Sequence, residues 1–275
     1  MTLRAFADSV ALGEIRTRAE LYQAVEELRV ASFARRPEGA GGEAEKSSGL
    51  FEIRDNFLAP EIKPREWAVD QMFLQKSWAL LAGHQKGGKT TFAIQLAISM
   101  QLGLPFFGRR INIQGPFGIL ECDSSRENLY LDVQAIAQKL GAEGPAPIKF
   151  GILHRRMYDL SDNALREQLL ESIKRLEPAI FILDPFRKLM SGSDNNSQDV
   201  LPVTDFCQEV SEKFGCLVLL TDHLKKSPDC GDKGGSPLAE LIRGSSHKAA
   251  SADTVILFGK DDKSVETKVT MSDQK

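Results

Sequence analysis

No apolar run in this 275-residue sequence approaches the roughly 18 residues that a membrane span requires. The opening stretch MTLRAFADSVALGEIRTRAE also lacks the long apolar core of a secretory leader, so a cytoplasmic protein is expected. Cysteine is scarce. Cys122, Cys207, Cys216 and Cys230 are scattered without a C-x-x-C pair, which argues against a disulfide framework and for reduced thiols. Charge of one sign is lacking as well: 35 Lys and Arg against 38 Asp and Glu leave a net charge of −3. With no bulk basic field, any contact with nucleic acid falls to local basic loops. No internal repeat and no primase, nuclease or zinc module is apparent. What is present, 42% apolar and 27% charged residues, suits a substantial core in one large α/β domain or two smaller ones.

The chain reads in three parts. Residues 1–35 carry an amphipathic helix: Thr17 and Glu20 have capping-box spacing, and Leu21, Val25 and Leu28 follow at i, i+4 and i+7. That stripe needs a surface, either its own domain or a neighbouring subunit. Residues 36–50, opening RPEGAGGEAEKSSG, form a flexible linker without apolar periodicity. Residues 51–275 form the main domain, in which strands and helices alternate. Strands are predicted at 78–83, 116–121, 148–153, 179–184, 216–222 and 253–258, and helices at about 89–102, 126–140, 162–176 and 199–214. Continuous apolar strands separated by amphipathic helices imply an α/β fold, a mainly parallel sheet covered on both faces. The tail GKDDKSVETKVTM adds a polar turn and an alternating run, an edge hairpin with the strand before it.

Gly83-His84-Gln85-Lys86-Gly87-Gly88-Lys89-Thr90 fits G-x-x-x-x-G-K-[ST] in full, between a strand and a helix. Its glycines let backbone N–H groups turn inward around phosphate oxygens, and the helix start adds its positive end. Lys89 then reaches the β- and γ-phosphates, the Thr90 hydroxyl ligates Mg²⁺, and Thr91 completes the expected nucleotide-binding segment. ATP and Mg²⁺ are the expected cofactors. In AIFILDP, Asp184 ends a buried strand, where a carboxylate is costly unless it serves a metal or a partner. In GILECDSS, Glu121 and Asp123 stand two apart at a strand end, and alternation sends both to one side. Either can orient the attacking water if this strand neighbours the phosphate-loop strand. Asp123 or Ser124 alternatively caps the helix starting near Arg126.

Taken in order, the phosphate loop, the strand ending in acid, FILDP, LLTDHLKK and LIRGSSHKAASADTVILF resemble the RecA/DnaB-type ATPases. Within them the likeness is to the branch of plasmid RepA-type hexameric helicases and their phage- or plasmid-borne AAA-type relatives. The resemblance implies a RecA-like core with Asp184 as the Walker-B carboxylate. It implies that His223 senses the γ-phosphate and that Arg243 enters the neighbouring subunit's site in trans. A trans arginine requires head-to-tail packing, hence a homo-oligomeric ring, six-membered in many relatives, or a filament. The family usually carries Glu where Asp123 stands; here either Asp123 serves with a shorter reach or Glu121 takes over.

Two loops, 190–199 and 224–246, match those that line a central channel and hold single-stranded DNA in the resembling proteins. Lys225, Lys226 and Lys233 are the phosphate-tracking candidates. Neither loop has an aromatic residue, and the second carries Asp229, Asp232 and Glu240. The expected function is therefore a Mg²⁺-ATP-driven motor on single-stranded nucleic acid, with a protein-directed ATP switch as the alternative. A small-molecule kinase leaves His223 and the Arg-Gly-Ser-Ser segment without a task.

Overall fold

The computed structural model of the chain describes residues 66–142, 148–224, 242, 247–260 and 267–273. The N-terminal helix expected over 1–35, the linker 36–50, Arg243, Lys225, Lys226 and Lys233 lie outside the described residues. Among the described residues a short antiparallel hairpin, β1 (Trp67–Val69) with β2 (Phe73–Leu74), comes first, and its strands are not part of the main sheet. Seven strands form that sheet: β3 (Trp78–Gly83), β4 (Phe117–Glu121), β5 (Phe150–His154), β6 (Ile180–Asp184), β7 (Leu217–His223), β8 (Thr254–Lys260) and β9 (Thr267–Asp273). Their order is β5-β4-β6-β7-β3-β8-β9, and every neighbouring pair is parallel except β8 and β9. The tail thus pairs as an antiparallel edge hairpin, as its alternation predicts.

Strand alternation sorts the apolar residues into two cores. Trp78, Leu80, Ala82, Leu183, Val218 and Leu220 face one way, with buried residues of α3 (Asn163–Leu176) and α4 (Ser197–Phe214). Ala79, Leu81, Ile119, Ile182, Leu219 and Ile256 face the other, under α1 (Lys89–Leu102) and α2 (Arg126–Lys139). A short helix α5 (His247–Ser251) adds Ala249 to the first core. Helix α1 is buried on nearly every side, so it reads as an apolar run rather than a narrow stripe.

Two expectations change. The strand ending in Glu121 is not beside the phosphate-loop strand, because β6 and β7 lie between them. The crossover through α1 skips both positions, and a uniformly apolar strand carries no signal for which neighbour it takes. Helix α2 is capped neither by Asp123 nor by Ser124: Ser125 is the cap, its hydroxyl accepting the Asn128 N–H at 3.2 Å.

Between α1 and β4 the chain makes a tight turn. Phe106 and Arg109 exchange backbone hydrogen bonds at 3.0 and 2.9 Å. Phe107 and Gly108 between them have φ of 48° and 73°. Gly108 takes that conformation freely, whereas for a phenylalanine it costs about 1–2 kcal/mol.

Candidate active site

The phosphate loop bends back on itself before α1 begins. The Gly87 N–H donates to the His84 carbonyl at 3.1 Å. Gly88, with φ of 87°, is the N-terminal cap residue, and no side chain caps the helix there. A left-handed glycine at this point turns the leading N–H groups of α1 toward the loop's concavity, the geometry an anion uses. Lys89 is buried, its ammonium donating to the carbonyls of Gly83 and His84, each at 3.0 Å. Burial lowers its pKa, opposed by the negative charges of Asp184, Asp222 and Asp123. His84, Gln85 and Lys86 form the exposed tip of the loop, and Thr91 is also exposed.

Asp184 is 5% exposed and accepts two hydroxyl hydrogen bonds. Thr90 Oγ1 donates to its Oδ2 at 2.5 Å, and Thr221 Oγ1 donates to its Oδ1. A contact between positions 90 and 184 thereby joins the first turn of α1 to the end of β6. Glu121 is the register partner of Asp184 on β4. Its Oε1 accepts the backbone N–H groups of Asp123 and Ser124 at 2.8 and 2.7 Å, while its Oε2 is buried without a hydrogen-bond partner. Burial raises the Glu121 pKa to about 7, and the charge of Asp184 pushes the same way. Asp123 is exposed. The expected like orientation of the two acids gives way to a split in environment, because β4 ends at Glu121 and strand alternation stops with it. Cys122 between them is an inert thiol, pushed up to about 12 by burial first and by Glu121 second.

His223 ends β7 as the register partner of Gly83, the first residue of the loop, and the Leu224 N–H reaches the Gly83 carbonyl at 3.3 Å. Alternation along β7 places Thr221 and His223 on the α1 side and Asp222 on the other. Asp222 is 2% exposed; its Oδ1 accepts the His223 N–H at 2.8 Å, and its Oδ2 accepts from the fully buried ammonium of Lys248 on α5. That ammonium lies 4.1 Å from the centroid of the Phe186 ring, two residues after Asp184. Burial raises the Asp222 pKa against the pull of Lys248. Thr221, Asp222 and Lys248 were not singled out from sequence. Thr221 and Asp222 adjoin His223 in LLTDH, whereas a lysine followed by two alanines gives no sign of burial.

The 190–199 loop is shorter than expected, because α4 starts at Ser197 with Asn196 as its cap, accepting the Gln198 N–H at 3.1 Å. Arg187 donates to the Met190 carbonyl at 3.0 Å, and the Ser193 N–H donates to Asp199 at 2.8 Å.

The oxygens of Thr90 and Asp184, with the unpartnered Glu121 Oε2 close to Asp184 in the sheet, are the hard donors a Mg²⁺ ion takes. Among the described residues no group of three or more His, Cys, Asp or Glu side chains is placed to hold a metal. The donor set therefore fits Mg²⁺ held partly by phosphate oxygens and water, the usual Mg²⁺ arrangement, rather than an all-protein metal cage.

A family model described as an AAA domain matches residues 44–229. No curated protein matches the sequence. Among solved structures, an ATPase domain aligns with a TM-score of 0.51 at 11% identity, covering 71% of this chain and 80% of its own, a likeness of fold. A KaiC-like protein of the hyperthermophilic archaeon Pyrococcus horikoshii OT3 aligns at 15% identity over 77% of this chain and 88% of its own, with a TM-score of 0.48. Among the described residues, no helix is long and apolar enough to cross a membrane.

Proposed function

Because the chain belongs to the AAA domain family, an ATPase family, we propose that it hydrolyses Mg²⁺-ATP as a homo-oligomeric motor on single-stranded nucleic acid. The observation that carries the Mg²⁺-ATP part of this reading is the Thr90–Asp184 contact, which brings the phosphate-loop helix to the end of β6 beside Lys89.

In this reading the loop's N–H groups and Lys89 hold the β- and γ-phosphates, and Lys89 exchanges its carbonyl partners for phosphate oxygens. Thr90 and Asp184 would hold Mg²⁺, which would supply neutralisation of the phosphate charge. Thr221 holds the second carboxylate oxygen of Asp184 and so fixes the rotamer. Asp123 orients the water, since it is the acid with open access to the mouth of the site, while Glu121 is enclosed. Glu121 is then a positioning residue, its Oε1 gripping the backbone that carries Asp123. His223 reports the γ-phosphate through its place next to Gly83. Arg243 completes the site of the neighbouring subunit, and the loops at 190–196 and 224–246, with Lys225, Lys226 and Lys233, follow the nucleic-acid phosphates.

Mixing two inactive proteins tests the shared site. Arg243→Ala lacks the finger but keeps its own loop, and Lys89→Ala lacks the loop lysine but keeps the finger. The mixture is expected to recover ATP hydrolysis that neither variant shows alone. No recovery in an assembly that still forms would contradict the trans role.

A further inference from the structure

The turn at Phe106–Arg109 holds an aromatic ring in solvent, in a backbone conformation that suits asparagine or glycine better. Phe107 is 65% exposed. One face of its ring rests on Phe92, with centroids 5.9 Å apart and planes 25° from parallel. Phe106 meets both rings edge-on at 5.0 and 4.7 Å, and Phe258 braces Phe92 at 5.3 Å. The Arg109 guanidinium donates to the Asp70 carbonyl at 3.0 Å, which ties the turn to the β1–β2 connection.

The braces are the two elements that bracket the phosphate loop. Phe92 lies in the first turn of α1, its N–H bonded to the Gly88 carbonyl. Phe258 is the register partner of Gly83 on β8. One helical turn and one ring stack separate the loop from Phe107, a span on the order of 10 Å. A nucleotide with its phosphates in the loop carries its base at about that reach. With 65% of Phe107 exposed, core packing does not account for the ring, and a residue kept in a strained backbone conformation motivates a functional reading.

The geometry points to a base platform: Phe107 stacks on the base of a nucleoside di- or triphosphate whose phosphates lie in the 83–90 loop. Stacking on a phenyl ring adds affinity without choosing among bases, since every base has a π-face. The assignment rests on the reading of the loop as a nucleotide site, and the experiment separates the two.

Titration calorimetry of the full chain uses ADP and inorganic tripolyphosphate, which has the phosphates but no base. Phe107→Asn suits the turn and is expected to keep or raise the melting temperature. It should weaken ADP about tenfold and leave tripolyphosphate unchanged, while Phe107→Tyr retains ADP affinity. ADP binding unchanged in Phe107→Asn overturns the platform and spares the loop. Equal weakening of both ligands, or a shift in assembly state with ADP affinity intact, also overturns it. A wild-type chain that binds neither ligand removes the nucleotide reading itself, and the platform with it.

Discussion

Around Asp184 three oxygen-bearing side chains converge on one small volume. Thr90 and Thr221 donate to the carboxylate, and Glu121 stands beside it in the sheet with one oxygen unpartnered. Burial lifts Glu121 from its ordinary value of 4.5 to about 7. Between those two pH values the folded chain therefore keeps a proton that the unfolded chain gives up. The stability this group contributes is complete below 4.5 and is lost as pH rises through 7. Glu121→Gln, which cannot ionise, is expected to flatten the fall in melting temperature of the nucleotide-free protein between pH 4.5 and about 7; an equally steep fall contradicts the assignment. Glu121 and Asp123 separate kinetically. Asp123→Asn should lower kcat by about 10²-fold or more, as loss of a water-orienting group does, and Asp123→Glu should keep most of it. A larger loss in Glu121→Gln than in Asp123→Asn would move the water-orienting role to Glu121.

At the scale of elements, Lys248 links three pieces: α5, which carries it, the end of β7 at Asp222, and the turn after β6 at Phe186. Removing one member of a buried ion pair strands the other charge, at a cost of about 3–5 kcal/mol. Lys248→Ala should lose stability on that scale in urea denaturation. Lys248→Met combined with Asp222→Asn should recover much of the loss, and equal losses in the two proteins would show that the pair is not what holds these elements. This linkage was not legible in the sequence, because burial of a lysine depends on an aspartate 26 positions away. The elements themselves were legible. Strand β3 and helix α1 fall where the apolar runs and the phosphate-loop pattern place them, since glycine and lysine punctuate that boundary. Ser125 was missed as a cap because Asp123, Ser124 and Ser125 are all capping residues in a row, and only backbone geometry chooses among them. The Phe106–Arg109 turn was missed because its two central residues are Phe-Gly, not the Asn-Gly that marks such turns.

At the scale of the whole molecule, the C-terminal ends of β4, β6 and β7 bring Glu121, Asp184 and His223 to the side of the sheet where Lys89 opens α1, although Glu121 and Gly83 lie on strands separated by two others. The alternation of strand and helix foretold a parallel sheet covered on both faces, and the strand order came only with the folded chain. A chain of net charge −3 has little long-range attraction for nucleic acid; the proposed motor would need loops repeated around an oligomer, each adding a few phosphate contacts. The measurement that bears most directly on this account is the steady-state rate of ATP hydrolysis by the purified full chain, with and without single-stranded DNA, at low and moderate salt. The account predicts Mg²⁺-dependent hydrolysis, abolished in Lys89→Ala and stimulated by DNA in a way that fades as salt rises. Hydrolysis that is equally fast with and without DNA at both salt levels would contradict the motor and leave an ATPase directed at a protein partner.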